Sequence, residues 1–158
     1  MDRPAAIVAI ASDHAGLEMK ERLREALSGW GYAVQDLGPA TAEPVDYPDF
    51  AEAVASVVSG GRAALGVLVC GTGIGMSIAA NKMPDVRAAV LYDDFAARHA
   101  RLHNDANVAV FGARTMTADA AVARLRIFLS ESFEGGRHAR RVAKIGRIEK
   151  RLGPRAET

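Results

Sequence analysis

Two hydrophobic patterns alternate along the chain. Short runs of aliphatic and β-branched residues, typical of strands buried on both faces, occur at 6–12, 32–37, 65–70, 88–91 and 108–111. Between them lie longer stretches in which apolar residues recur at helical spacing and charged residues occupy the opposite side. These predict helices at 17–30, 48–59, 76–81, 93–102 and 117–133, followed by a basic helix at about 137–152.

Each predicted strand is followed by a helix through a short connection. This order predicts an α/β fold with a doubly wound, five-stranded parallel sheet, helices on both faces and an additional C-terminal helix. A length of 158 residues fits one domain spanning 1–158, and residues 153–158 are expected to form a frayed end. The apolar run 5–11 is too short to span a membrane and is interpreted as a strand.

The third strand runs into a glycine-rich turn. Gly71, Gly73 and Gly75 stand at alternate positions before the next helix, where free backbone N–H groups could bind an anion. Met76 occupies the position where a dinucleotide-binding fingerprint needs its last glycine, and no Lys-Ser/Thr pair completes a P-loop. Nucleotide binding remains an alternative because acidic residues follow about 20 positions later. A tight turn without a ligand is the other alternative.

The only cysteine, Cys70, ends the third strand beside these amides. A single cysteine excludes an internal disulfide and suits a cytoplasmic protein. The N-terminus of a helix favours the thiolate form, so Cys70 is a candidate catalytic group, although a lone cysteine is also a common core residue. Thr72 could donate a hydrogen bond to the same ligand or cap the helix.

Further candidate groups follow the other strands. Ligands of parallel sheets bind outside the carboxyl ends of the strands, where Asp13-His14, Tyr92-Asp93-Asp94 and Arg114 would lie with the glycine turn. Asp13 could orient the His14 imidazole or cap the following helix. His103-Asn104-Asp105 precedes the fifth strand, so it would lie at the opposite end and serve a neighbouring subunit.

Two other groups have alternative interpretations. His99 and His103 have the i, i+4 spacing of zinc ligands, but no third ligand is obvious, so no metal is expected and His99 is interpreted as a solvated helix residue. Net charge is +1, yet the last predicted helix is basic. Its arginines could form a nucleic-acid surface; a phosphate clamp by Arg137 and Arg141, one turn apart, requires fewer assumptions.

Seven short motifs carry a family resemblance. They are Ser12–Gly16, Asp46–Pro48, Cys70–Gly75, Ala79–Lys82, His103–Asn107, Phe111–Arg114 and Glu134–His138. In this order they resemble the ribose-5-phosphate isomerase B family, which also includes allose-6-phosphate and galactose-6-phosphate isomerases. The resemblance covers about residues 6–152. It implies a Rossmann-like fold, no metal or other cofactor, and dimers or dimers of dimers with sites shared between subunits.

The resemblance also implies residue roles. Cys70 would be the base that moves the proton between C1 and C2, and His103 would open the sugar ring with help from Asp13. Thr72 would join a hole for the enediolate oxygens that is formed by the backbone of Gly71, Gly73, Ile74 and Gly75. The other substrate contacts would be Asn104 and a phosphate-binding set of His14, Arg114, Arg137 and Arg141.

The function expected from the sequence is therefore cofactor-independent aldose–ketose isomerisation of D-ribose 5-phosphate and D-ribulose 5-phosphate in the cytoplasm. The alternatives are isomerisation of a six-carbon sugar phosphate, a non-catalytic nucleotide-binding module, and a nucleic-acid binder that uses the basic tail. Neither a nucleic acid nor a membrane is an expected partner.

Overall fold

The computed structural model describes residues 5–153. The strands are β1 (Ile7–Ser12), β2 (Ala33–Asp36), β3 (Leu65–Cys70), β4 (Ala88–Val90) and β5 (Val108–Gly112). The helices are α1 (Leu17–Gly29), α2 (Tyr47–Ser59), α3 (Ile74–Ala80), α4 (Asp94–Asn104), α5 (Ala118–Ser130) and α6 (Arg137–Arg151). The frayed end predicted at 153–158 falls, apart from Gly153, outside the described residues.

The five strands form one parallel sheet in the order β2-β1-β3-β5-β4. After β1 the chain winds outward to β2 and then returns to place β3 on the other side of β1. This reversal opens a crevice at the carboxyl ends of β1 and β3, which is where ligands bind in such sheets. The predicted five-stranded parallel α/β fold is confirmed.

Helices cover both faces of the sheet, as predicted. One core cluster joins the sheet to α1, α4 and α5, with Leu23, Leu125 and Phe128 fully buried. The other joins it to α2 and α3, with Val54 and Met76 fully buried. The central strands β1, β3 and β5 are thus buried between two layers of helices, and the loops at their carboxyl ends rest on this rigid base.

Two predicted helix ends are wrong. α4 continues through His103 and Asn104 and ends at Asp105, whose φ of 47° is left-handed. Arg87 donates a hydrogen bond to the carbonyl oxygen of Asp105 at 2.8 Å, which holds this end of the helix at the start of β4. α5 ends at Ser130, three residues earlier than predicted, because the backbone at Glu131 is already extended (ψ 152°).

α6 is the least packed helix. Its stripe of apolar residues includes Ile145, Ile148 and Leu152, which are 47%, 47% and 68% exposed. Glu149 accepts two bonds from the Asp85 N–H, at 3.0 and 3.1 Å, and fixes the helix to the loop before β4. The partner that the stripe requires is therefore only partly supplied within the described chain.

Across residues 5–153, none of the helices combines the length and apolar composition that a membrane span requires.

Candidate active site

The crevice between β1 and β3 holds the catalytic thiol candidate. Ser12 pairs with Val69 across the two strands, and the Asp13 N–H donates to the Val69 carbonyl oxygen at 3.0 Å. Cys70 follows Val69 as the last residue of β3. Asp13 and Cys70 therefore leave neighbouring strands at the same edge, as the sequence predicts.

The backbone of the glycine turn holds the Cys70 sulfur by a hydrogen bond. The N–H of Gly73 donates to Cys70 Sγ at 3.1 Å, an interaction that strengthens when the sulfur carries negative charge. Gly73 has a φ of +79°, and a Cβ there would stand 3.2 Å from the backbone of Phe111, so the turn requires glycine. Cys70 is 5% exposed and belongs to the core cluster that joins the sheet to α2 and α3.

Thr72 has the geometry of a donor toward this turn. Its Oγ1 accepts the N–H of Ile74 at 3.2 Å, so its own hydroxyl hydrogen remains available for another acceptor. It is Gly73, and not Thr72, that occupies the N-cap position of α3. Thr72 is therefore not the helix cap that the sequence offered as an alternative, and its hydroxyl remains able to donate to a ligand.

Arg114 brings positive charge to the same turn. Its backbone N–H donates to the Gly71 carbonyl oxygen at 2.8 Å, just as that of Ala113 does to Cys70. The guanidinium lies against Gly71, where an added Cβ would stand 3.2 Å from Nη1. An anion at the glycine turn would thus meet backbone amides and an arginine together.

The loop after β1 matches neither of its two sequence interpretations. Asp13 Oδ1 accepts the Gly16 N–H at 2.9 Å, which folds the loop onto the residue before α1, but no side chain caps the helix itself. His14 is oriented instead by Val45, whose N–H donates to His14 Nδ1 at 3.2 Å. With Nδ1 accepting, a neutral His14 carries its proton on Nε2, where it can donate to a phosphate oxygen.

The sequence reasoning gave no role to Tyr47, although it lies over the glycine turn. A Cβ placed on Gly75 would stand 2.5 Å from the Tyr47 ring. Tyr47 begins α2 and is 40% exposed. The motif Asp46-Tyr47-Pro48 was the only sequence signal that could have found it.

A second cluster gathers the remaining candidates at the end of α4 and the start of α6. The rings of His103 and His138 stack, with centroids 4.0 Å apart, and Glu134 Oε2 lies 3.5 Å from His138 Nε2 and 3.9 Å from His103 Nε2. Arg137 donates weakly to His138 at 3.4 Å. Neither His138 nor Glu134 could be given a role from the sequence, because their contact with His103 joins segments about thirty residues apart.

His99 is not the solvated residue that the sequence suggested. It is half-buried, its ring stacks on Phe95 at 3.8 Å and meets His103 edge-on at 4.6 Å. Its Nδ1 lies 2.8 Å from the Phe95 carbonyl oxygen. Contacts within α4 therefore explain the position of the His99 side chain.

The environment of His138 disfavours its charged form. Burial is the main cause that lowers the pKa of His138 below 6.5, followed by the neighbouring charges of His103 and Arg137; Glu134 opposes them and Arg141 adds to them. At neutral pH the imidazole is therefore uncharged, and within the described part of the chain its Nε2 lone pair accepts only the long bond from Arg137.

The two clusters lie at opposite edges of the sheet. α4 starts just after β4 at the carboxyl edge and runs back over its 11 residues, about 16 Å, to the amino edge where Asp105 meets Arg87. The position predicted for His103, opposite the glycine turn, agrees with this geometry. One chain thus presents Asp13, His14, Cys70 and Arg114 at one edge, and His103, Asn104, Arg137 and Arg141 at the other.

A large groove on the described residues does not include Cys70. It passes between α4 and α6, with Tyr92 and Phe95 on one side, Ile145 and Ile148 on the other, and Asn104 within it. These four large hydrophobic residues are exposed, so the groove is an apolar surface adjoining the second cluster.

A thiol, a cradle of amides and an arginine at the crevice of a parallel sheet define an α/β enzyme for a small anionic substrate. The Ribose/Galactose Isomerase family model matches residues 8–145. Ribose-5-phosphate isomerase B of Escherichia coli K12 is 41% identical over 144 residues, which cover 91% of this chain and 97% of the relative.

Solved structures agree with that assignment. Ribose-5-phosphate isomerase B of Clostridium thermocellum superposes with a TM-score of 0.92 at 46% identity, covering 93% of this chain and 99% of the other. The enzyme of Mycoplasma genitalium with bound ribulose-5-phosphate gives 0.90 at 42% identity, covering 94% and 99%. The chain belongs to the ribose/galactose isomerase family.

Proposed function

We propose that this protein interconverts D-ribose 5-phosphate and D-ribulose 5-phosphate through an enediolate, without a metal or other cofactor. The observation that carries the proposal is the Cys70 sulfur, held by the Gly73 N–H at 3.1 Å in the crevice of the sheet. Family membership supports it, as does the similarity to a relative whose structure holds ribulose-5-phosphate. The lone cysteine suits a reducing compartment, so we place the enzyme in the cytoplasm.

Isomerisation of an aldose needs a base that lifts a proton from a carbon. In the proposed reaction the Cys70 thiolate takes the C2 proton, the electron pair forms the C1–C2 double bond of the enediolate, and the C1 oxygen becomes negative. The O2 proton then moves to O1, the C2–O2 double bond forms as the C1–C2 double bond breaks, and C1 takes the proton back from the Cys70 thiol, which gives the ketose and restores the thiolate. The Gly73 N–H favours the thiolate that begins this sequence.

The developing oxyanion needs donors that already point at it. Thr72 meets this need because its Oγ1 is fixed by the Ile74 N–H, which leaves the hydroxyl hydrogen for the substrate. The Gly73 and Ile74 amides, which the family resemblance also assigned to this hole, are held by Cys70 Sγ and Thr72 Oγ1, so we assign the amides of Gly71 and Gly75 to the substrate oxygens.

Ring opening and phosphate binding require both clusters, so we propose a homodimer, or a dimer of dimers, with shared sites. In one chain His103, Asn104, Arg137 and Arg141 lie at the edge opposite Cys70, and a second copy could place them over its neighbour's crevice. The exposed apolar residues of α4 and α6 beside this cluster are a surface that such a contact would bury.

Within a shared site we assign each residue the role that its side chain can perform. His103 would protonate the ring oxygen as the furanose opens, while Asp13 assists, and Asn104 would hold a sugar hydroxyl. The phosphate would lie between His14 and Arg114 of one subunit and Arg137 and Arg141 of the other, because arginine pairs with phosphate in bidentate fashion.

The role of the base is tested with Cys70→Ala. Exchange of the C2 hydrogen of ribose 5-phosphate with D₂O, followed by NMR, should slow by about 10²–10⁴, while calorimetry still detects ribose 5-phosphate binding. As a matched change in the oxyanion hole, Thr72→Val should slow turnover by about 10²–10³ without abolishing exchange. Normal exchange by Cys70→Ala would show that another group is the base.

The shared site is tested by mixing inactive variants. Cys70→Ala and His103→Gln should each be inactive as pure proteins. After subunit exchange, half the dimers contain one chain of each kind and one intact site, so the mixture should recover about a quarter of wild-type activity. A mixture that stays inactive although mixed dimers are detected would rule out sharing.

A six-carbon sugar phosphate is the alternative substrate, since the matched family includes galactose isomerases. Comparing kcat/KM for ribose 5-phosphate and allose 6-phosphate distinguishes them. Turnover of ribose 5-phosphate in the presence of EDTA tests metal independence at the same time.

A further inference from the structure

Three potential metal ligands converge at the end of α4. Ligand atoms of His103, Glu134 and His138 all lie within 4.8 Å of one another. The carboxylate oxygen Oε2 of Glu134 is 3.9 Å from His103 Nε2 and 3.5 Å from His138 Nε2. Two imidazoles and a carboxylate are a ligand set that zinc and neighbouring divalent transition metals accept.

The spacing is close to that of a bound ion. Zinc bonds of about 2.0–2.2 Å in a tetrahedron place neighbouring ligand atoms about 3.3–3.6 Å apart. The Glu134 to His138 distance already meets this value, and the Glu134 to His103 distance exceeds it by less than 1 Å. The side chains of His103 and Glu134 are 34% and 50% exposed. Both therefore have room to rotate until their lone pairs point at the same ion.

The backbone holds the three residues together without an ion. The Glu134 N–H donates to the Leu102 carbonyl oxygen at 3.1 Å, which fixes the segment before α6 against the end of α4. The His138 N–H donates to Gly135 at 3.0 Å and starts the helix. The backbone positions of the three ligands are therefore fixed before an ion binds, and the main free-energy cost of binding is the rotation of their side chains.

Two neighbouring charged side chains would affect the binding of an ion at these three residues. Arg137 Nε donates to His138 Nε2 at 3.4 Å, a long bond that the ion would displace, while Glu134 supplies the negative charge. His138 is 7% exposed at its side chain, and its Nε2 lies 3.5 Å from Glu134 Oε2, whose side chain is 50% exposed. His99 does not belong to this group of converging ligand atoms, although its ring meets that of His103 edge-on at 4.6 Å.

We propose that His103, Glu134 and His138 form a binding site for a divalent transition-metal ion, with Zn²⁺ as the fitting example, and that the bound ion inhibits the enzyme. The inhibition rests on the proposed function, because an ion on His103 removes the group assigned to ring opening. The reaction itself stays metal-free, so the site is inhibitory and not catalytic.

Binding is measured with ZnCl₂ alone by calorimetry, in a Cys70→Ala background that removes the thiol as a competing ligand. We expect one Zn²⁺ per chain. Adding Glu134→Gln or His138→Gln should weaken binding by at least about tenfold, whereas His99→Gln, which removes an imidazole from the same ring stack, should bind like the parent. Replacing Zn²⁺ by Co²⁺ should give the visible absorption of a tetrahedral ion, which is lost in Glu134→Gln.

Other outcomes would overturn the assignment. Unchanged affinity in both Glu134→Gln and His138→Gln would show that zinc binds elsewhere, and so would an equal loss in His99→Gln. Thermal melts of each variant without metal exclude unfolding as the cause, and the half-exposed Glu134 provides a test should the buried His138 variant fail to fold.

Inhibition is measured separately on the wild-type protein. Added Zn²⁺ should lower isomerase turnover, EDTA should restore it, and Glu134→Gln, relative to its own zinc-free rate, should resist inhibition by at least about tenfold. Zinc binding at the triad with unchanged turnover would refute the inhibitory step. A protein that binds zinc there but never turns over ribose 5-phosphate would refute the proposed function and leave the site standing.

Discussion

Lys20 offers a sharp test of how the active-site loops are held. Its side chain is 1% exposed, yet it ends in an ammonium group, so a charge is buried on the inner side of α1. The ammonium donates to Asp36 Oδ1 and Oδ2 at 3.0 and 3.1 Å and to the Pro39 carbonyl oxygen at 2.8 Å. Lys20→Met keeps the volume and removes all three bonds.

The cost follows from the burial of the two partners. Removing one member of a buried ion pair costs about 3–5 kcal/mol, but the Asp36 side chain is 33% exposed and water can solvate it. We therefore expect a loss of about 2–3 kcal/mol in the free energy of unfolding, equivalent to about 5–10 °C in Tm for a domain of this size.

The matched control lies two residues along the same helix. Arg22 pairs with Asp119, but the two side chains are 51% and 84% exposed, so Arg22→Met should change stability by no more than about 0.5 kcal/mol. Urea unfolding followed by circular dichroism measures both variants. If Lys20→Met unfolds at the same urea concentration as Arg22→Met, the argument from burial is wrong.

Lys20→Met should also weaken the binding of substrate. Lys20 anchors Pro39 in the loop between β2 and α2, and Val45 in the same loop has the N–H that orients His14. Loosening this loop should raise KM for ribose 5-phosphate more than it lowers kcat, because His14 is assigned to the phosphate and not to the reacting carbon. A fall in kcat alone would contradict that assignment.

Three further changes probe packing and protonation. Gly75→Ala would place a Cβ 2.5 Å from the Tyr47 ring, so the ring should be displaced over the turn and kcat/KM should fall by about tenfold or more, with Tm changed by only about 2 °C because Tyr47 is exposed; normal kinetics would show that the ring moves away harmlessly. Gly66→Ala would place a Cβ 2.6 Å from Val54 Cγ1 inside the core and should cost about 1–3 kcal/mol in urea unfolding, and an unchanged midpoint would show that the core yields. Because burial lowers the pKa of His138 below 6.5, its contribution to stability should be complete above pH 6.5 and decline as pH falls below that value, since the unfolded chain then binds the proton first. Unfolding of wild type and His138→Gln in EDTA at about pH 7.5 and 5.5 measures it, and equal pH dependence of the two proteins would refute it.

The local order of the chain could be predicted because it depends on near neighbours in sequence. Alternating apolar runs and amphipathic stretches predicted the parallel sheet, and the strand ending in Cys70 followed by Gly71, Gly73 and Gly75 predicted an amide-lined turn around a thiol. The errors came at helix ends. Nothing in the sequence pattern around His103 showed that α4 would continue through it, because its stop depends on Arg87 meeting Asp105 from a distant strand.

The sequence by itself determined that this is an α/β protein with a cysteine and a glycine turn at the end of its third strand, since side-chain period and backbone freedom are local properties. Only the tertiary structure decided the order β2-β1-β3-β5-β4, which opens the crevice beside that cysteine. It also decided that Glu134 and His138 join His103, and that Lys20 is buried against Asp36. These contacts join residues far apart along the chain, and their energies exist only once helices and strands have packed.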